Sequence, residues 1–432
     1  MTRAPSQWQH RELRGGLQLA LQHRSTPELL AARLWIAGGS SLDQRGARGA
    51  HQLLAGLLTR GCAQHSAEAL ADLVEGAGAA LRAEAIEDAL VISLKCASSD
   101  ASQLLPLLLE MVAQPRLEAD QLDIERQLNL QSLQRLKEDP FQLCHEALRQ
   151  QLYGTGPYGH DPLGVEGELS AIQRADLQTL SQDLGRSGAA MVLCGVIPPG
   201  TEELLEDHLR LSPWSSAAAG TPLALDHPAA APGLALHAED TEQVVLMLGC
   251  RVPPLGDRDN LPLRLLQAHL GLGMSSRLFL VMREERGLAY DVGVHMPARR
   301  GPTPFIWHLS STVDRAGEAT SALLDEWQRL LETPLTPEQL VLAKAKYRGQ
   351  EAMGRQTCSQ IADRQALLLG FGLGDDAIAE ALEHIDALDA DALLAVARSH
   401  LNAPSLSLCG PAEGLKAAEQ AYRSHPLMSA RP

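Results

Sequence analysis

Two stretches of the chain repeat one pattern of apolar and polar positions. "GLQLALQHRSTPELLAARLWIAGGS" holds two apolar, partly alternating runs joined by a polar turn. Residues 233–253, "GLALHAEDTEQVVLMLGCRVP", repeat the order run, polar turn, run and Gly/Pro-containing break. Alternation with a period of two marks a strand with one face buried, and two such runs around a short polar turn predict a β-hairpin. Each stretch is followed by apolar residues three and four apart. Ala50, Leu53, Leu54, Leu57 and Leu58 form the first set, and Leu261, Leu265, Leu266 and Leu270, with His269, form the second. That spacing puts the side chains on one face of a helix.

The parallel continues along the chain. "ASQLLPLLLEMVAQPRLEADQLDIERQLNLQSLQRLKEDP" predicts helix, proline-marked turn and second helix, and "EATSALLDEWQRLLETPLTPEQLVLAKAKYRGQEAM" repeats that layout. Strands and helices mixed without strict βαβ alternation favour an α+β domain, here present twice. Between the copies, residues 211–233 are rich in Ala, Pro, Ser and Gly and nearly uncharged, which suits an extended linker. The expected division is 1–212, a linker at 213–232, and 233–432.

Composition narrows the classes. At 432 residues the chain exceeds one hydrophobic core, and 45% hydrophobic with 21% charged residues fits a folded globular protein. The 37 basic residues against 53 acidic ones give a formal charge of −16 with no basic run, which repels a phosphate backbone and makes nucleic acid an unsuitable partner. The longest apolar run, residues 104–113, is too short for a bilayer and contains Pro106 and Glu110, so no membrane insertion and a cytoplasmic location are expected. Seven cysteines lie far apart with no C-x-x-C pair, and they are expected to be reduced and buried.

The stretch "GARGAHQLLAGLLTRG" carries one histidine on its helical pattern. On a helix, H-x-x-E-H sets two imidazoles on one face for a zinc ion with a glutamate beside them as general base. The surrounding landmarks are "GGSSLDQRGARGAHQLLAGLLTRG", "PRLEADQLDIERQLNLQSL", "KEDPFQ", "YGTGPYGHDPLG" and "GLGMSSRLFLVMREERGLAYDV". Together they resemble the insulinase/pitrilysin family of inverted-motif zinc peptidases, peptidase family M16, in the small two-domain form of mitochondrial processing peptidase subunits. The resemblance spans nearly the whole chain. It implies two homologous α/β two-layer sandwich domains forming a clam-like half chamber.

Laid on the family pattern, the zinc motif falls on His51, Gln52, Leu53, Leu54 and Ala55. The glutamate position holds Leu54, the second histidine position Ala55, and the family's spacing puts the third ligand at Ser132. A glutamate that the family carries seven residues earlier falls on Glu125, which supports that register. Leucine and alanine have no lone pair to give and a serine hydroxyl is a poor zinc ligand, so no metal is expected in this chain. His51 is open to two readings: a relic ligand, or a partly buried, hydrogen-bonded imidazole at the start of a helix that packs a core. His145 with Glu146, and His160 with Asp161, are potential ligands by type, but their adjacency and the Gly/Pro-rich setting of the second pair favour structural or solvated roles.

In the second half, the run "REER" alone suits a solvated helix end. The resemblance implies more: in the family an arginine and a tyrosine seven apart bind the substrate backbone, and here they fall on Arg283 and Tyr290. "GLGMSS", with Gly271 and Gly273, is similar to a short form of the glycine-rich substrate loop of noncatalytic processing-peptidase subunits, and equally to a tight interhelical turn. The implied function is a zinc-lacking subunit of a heterodimeric metallopeptidase, which positions peptide for a zinc-binding paralogue carrying H-x-x-E-H. The alternatives are a catalytically dead scaffold and an autonomous zinc peptidase with relocated ligands.

Overall fold

The structure, a computed structural model, describes residues 8–216 and 231–429. Residues 217–230 of the expected linker lie outside the described residues. The chain divides into two compact units. One is built from Met1–Leu133, His160–Leu225 and Ala352–Ile378, the other from Gln134–Gly159, Asp226–Glu351 and Ala379–Pro432. Relative to a single cut at the linker, one helical segment from each half packs with the other unit.

The first unit is an α/β sandwich around a six-stranded sheet. Its order is Gln9–Glu12, Gln18–His23, Ala189–Gly195, Leu29–Ala37, Ala89–Ala97 and Ala80–Ala85. The second unit's five strands run Leu234–Ala238, Ser405–Gly410, Gln243–Val252, Thr303–Thr312 and Val292–His295. Without the edge strand Gln9–Glu12 the two orders are the same permutation of chain order, so the duplication inferred from patterning is a duplication of topology.

Neither predicted hairpin exists, although all four of its strands do. In the first unit Ala189–Gly195 lies between them, parallel to Gln18–His23 and antiparallel to Leu29–Ala37. In the second, Ser405–Gly410 lies parallel to Leu234–Ala238 and antiparallel to Gln243–Val252. Strands one apart in a sheet are only ~10 Å away, and about 3.3 Å of reach per residue lets residues 24–28 or 239–242 step over the inserted strand. The inserted strand Ala189–Gly195 is buried at all seven positions, as a strand needs to be when sheet and helices enclose it. The two helix–turn–helix predictions hold, as Ala101–Ala113 with Ala119–Lys137 and Ala316–Glu332 with Pro337–Met353.

Helix Cys358–Gly370 lies on strands Leu29–Ala37 and Ala189–Gly195. The sheet face it covers carries small side chains, Ala20, Ala31, Ala89 and Val192, beside Trp35 and Val91, in one cluster with Ala362 and Ala366 of the helix. Small residues on both surfaces let the backbones approach closely. Gly370 takes this furthest, because a Cβ there would sit 2.1 Å from the Trp35 indole nitrogen. Arg33, buried in the middle of an apolar strand, forks onto both carboxylate oxygens of Asp363 on that helix. In the second unit Pro140–Tyr153 covers the corresponding strands, and Trp307 packs on Trp327 with ring centroids 4.6 Å apart. Among the described residues, no helix is long and apolar enough to cross a membrane.

Candidate functional site

The degenerate motif sits on helix Ala50–Leu58, in which seven of nine residues are buried. Leu53, Leu54 and Ala55 have no exposed surface, so the positions that lack ligand chemistry pack the core instead. Burying each such leucine is worth about 1.5–3 kcal/mol, which is reason enough for the helix to persist without a metal. The helix has no side-chain cap on its preceding residue. Gly49 occupies that place in the left-handed region at φ 105°, and Asp43 supplies the cap from a distance. Its carboxylate accepts from the backbone N–H of Gly49 at 2.7 Å and of His51 at 3.1 Å.

Asp43 also organises the two histidines. His51 Nδ1 lies 2.7 Å from Oδ1, and His160 Nε2 lies 3.4 Å from Oδ2. Both rings are about 4% exposed and the Asp43 side chain is fully enclosed. Burial works against the charged carboxylate, but the bonds from His160, His51 and Gly49 outweigh it and hold the group below its ordinary value. His160 arrives on the loop ending at Gly164, and Gly164 and Gly49 pack back to back, a Cβ on Gly164 meeting Gly49 Cα at 2.7 Å. Glu168 ties the same region down by accepting from the N–H groups of Gly46 and Arg48, both at 2.9 Å, and from the Arg48 guanidinium. Asp43 was not singled out by the sequence. Its only signal is an acidic residue a few positions before a helix that opens on glycine.

Glu125 and Ser132 lie on helix Ala119–Lys137. Glu125 takes an ion pair from Arg60 at 2.7 Å and lies against the motif helix so closely that a Cβ on Gly56 would stand 2.3 Å from its Oε2. Two turns further along, Ser132 is half-buried. These positions do not fit a zinc ion. Leu54 and Ala55 have no donor atoms and Ser132 offers only a neutral hydroxyl, which leaves His51 alone among the motif positions. Among the described residues, no three His, Cys, Asp or Glu side chains converge to hold a metal elsewhere. His145 meets the edge of His295, with ring centroids 6.1 Å apart, and Glu146 pairs with Arg149. Asp161 caps the N–H of Leu163.

In the second unit, Arg283 lies in a π-helical segment, Phe279–Glu285, whose Val281 and Met282 are buried. The chain turns at Gly287 with φ 58°, and Leu288 and Ala289 re-enter the core. These anchors bring Tyr290 back to Arg283. The guanidinium carbon stands 4.6 Å from the Tyr290 ring centroid and 4.8 Å from that of Phe279, and Nη1 donates to the Tyr290 carbonyl at 3.2 Å. Tyr290 is 79% exposed, and its phenol projects from an ordered base. π-Helical turns concentrate at functional positions because the extra residue per turn re-aims a side chain.

Gly271 ends helix Asn260–Gly271, and a Cβ there would lie 2.8 Å from Val294 of the neighbouring strand, so close packing accounts for that glycine. Gly273 is different: its φ is 76°, nothing lies within 4 Å of its Cβ position, and the adjacent Met274 is 76% exposed.

The chain thus holds two α/β units of one topology, one with a motif helix that lacks ligand residues and the other with the Arg283–Tyr290 pair. The family description "Insulinase (Peptidase family M16)" matches residues 18–164, and "Peptidase M16 inactive domain" matches residues 174–347. The chain belongs to peptidase family M16. It is 25% identical over 398 residues to an uncharacterized zinc protease of Mycobacterium tuberculosis, covering 90% of each chain. Its fold matches a crystal structure of a peptidase M16 inactive domain from Pseudomonas fluorescens with a TM-score of 0.85, at 23% identity over 94% of this chain and 98% of that one. A chain of complex III2 from Candida albicans shares the fold with a TM-score of 0.80 at 15% identity, covering 96% of this chain and 99% of that one.

Proposed function

We propose that this chain is the substrate-positioning subunit of a two-chain M16 peptidase, and that a paralogue with intact H-x-x-E-H supplies the zinc and its base. What supports the reading is an asymmetry. The ligand positions Leu54 and Ala55 lack donor atoms and Ser132 offers only a neutral hydroxyl, whereas Arg283 and Tyr290 stand together with the phenol in solvent. A guanidinium fork binds a peptide carbonyl or carboxylate, and a phenol donates a hydrogen bond to charge developing on a carbonyl oxygen. This chain binds and orients an extended peptide, and no water-activating step falls to it. It works in the cytoplasm, without nucleic acid or membrane insertion.

The test is peptide hydrolysis and metal content for this chain, for the paralogue and for their mixture. The expected result is activity in the mixture alone, with little zinc on this chain. Arg283→Ala or Tyr290→Phe is expected to lower kcat/KM of the mixture about 10- to 100-fold, the equivalent of one charge-assisted hydrogen bond. Chelator-sensitive hydrolysis by this chain alone would refute the proposal in favour of an autonomous peptidase. A paralogue equally active without this chain would refute it in favour of a scaffold.

A further inference from the structure

The first unit brings together two cysteines from distant parts of the chain. Cys194 is the sixth residue of the buried strand Ala189–Gly195, and Cys358 is the first residue of helix Cys358–Gly370, capped by Thr357. Cys358 packs against the cluster that contains Cys194, and the Cys194 thiol donates to Gln22 Oε1 at 3.7 Å. Their exposure differs: Cys194 is fully buried, whereas Cys358 is half-buried and lines a cavity of 330 Å³ with Arg24, Thr26 and Lys95. The other five cysteines are buried. Cys144 and Cys409 also sense each other, but neither has exposed surface, and Cys144 donates to the Ser407 carbonyl at 3.2 Å.

The setting divides the two sulfurs by role. Cys358, half-buried and lining the cavity, is the sulfur that an oxidant from solvent can reach. Cys194, fully buried, is shielded from outside reagents, and burial with the neighbouring Cys358 pushes its thiol up to about 12. We propose that Cys194 and Cys358 form a reversible thiol–disulfide site, with Cys358 attacking a hydroperoxide and Cys194 resolving the product.

In the first step the Cys358 thiolate attacks the peroxide oxygen. An S–O bond forms, the O–O bond breaks, and hydroxide leaves from hydrogen peroxide as Cys358 becomes a sulfenic acid. In the second, the Cys194 sulfur attacks the Cys358 sulfur, the S–O bond breaks, and the hydroxyl takes the Cys194 proton to leave as water. The sum is two thiols and one peroxide giving one disulfide and two waters. Two equivalents of a small thiol reverse it. The bond would fasten the helix contributed by the second half of the chain to the central strand of the first unit, whether or not the chain serves a peptidase partner.

The experiment treats the full-length protein with equimolar hydrogen peroxide, blocks remaining thiols with N-ethylmaleimide in denaturant, and counts labels by mass. Wild type should fall from seven labels to five, with a linked 194–358 peptide after digestion and recovery of all seven after dithiothreitol. Cys194→Ser should leave Cys358 as a sulfenic acid trapped by dimedone, and Cys358→Ser should keep its six thiols. Oxidised wild type, but neither variant, should show a raised Tm that dithiothreitol reverses. Seven labels after peroxide, a bond between other cysteines, or accumulation of the Cys358 sulfenic acid in wild type would overturn the proposal.

Discussion

Replacing Glu168 by Gln tests how the loop before the motif helix is held. One carboxylate accepts from two backbone N–H groups and from the Arg48 guanidinium, and the Arg48 bonds hold its pKa at about 2, down from 4.5, against the opposing effect of burial. At about 1.36 kcal/mol per unit, a fall of that size corresponds to roughly 3.4 kcal/mol for a fully shielded group. The two side chains keep 17% and 23% of their surface exposed, so solvent screening reduces the expected loss for Glu168→Gln to about 1.5–2 kcal/mol at pH 7. The sign follows from linkage. The folded pKa lies below the unfolded one, so the contribution is complete above 4.5 and is lost as pH falls toward 2. Urea unfolding of wild type and variant at pH 7 and pH 3.5 measures this directly, since other carboxylates titrate in both proteins and cancel. The stability gap should shrink to roughly half at pH 3.5. A gap below about 0.5 kcal/mol at pH 7, or one that does not change with pH, would refute the reasoning.

Two further perturbations address the packing of the first unit. Asp43→Asn leaves the donors on Gly49, His51 and His160 facing a neutral amide in which one acceptor oxygen has become an NH2 donor. It should destabilise the unit by about 2–4 kcal/mol and speed amide exchange in the first turn of Ala50–Leu58, so unchanged exchange there would count against the distant cap. Gly370→Ala drives a methyl into the Trp35 indole, and the cost should be about 3 kcal/mol with altered tryptophan fluorescence; a neutral effect on Tm would show that the helix can shift on the sheet.

Part of the candidate site rests on residue type. Leucine and alanine cannot ligate zinc in any fold, so Leu54 and Ala55 settle the chemistry at their positions whatever the tertiary structure. The register that named Ser132 also named Glu125, and the structure puts Glu125 against Gly56 of the motif helix. Arg283 and Tyr290 stand seven apart in sequence, and a π-helical turn and one glycine fold them onto each other. Asp43 was not legible. Its importance comes from reaching one histidine eight residues away and another far along the chain, and no local pattern encodes the second contact.

The sequence by itself determined the repeated elements: four strands by their apolar runs, six helices by spacing, the duplication by repetition of both, and the missing zinc ligands at Leu54 and Ala55 by residue identity. Tertiary structure alone decided which strands pair, which unit each crossing helix joins, and which cysteines meet. Strand Ala189–Gly195 enters between two strands that look like a hairpin, and helix Cys358–Gly370 joins a sheet built from the other half of the chain. The physical reason is that hydrophobic burial is non-directional along the chain. Patterning says that a face must be covered, and only the shape and size of the available surfaces, small residues against small residues and Gly370 against Trp35, say by what.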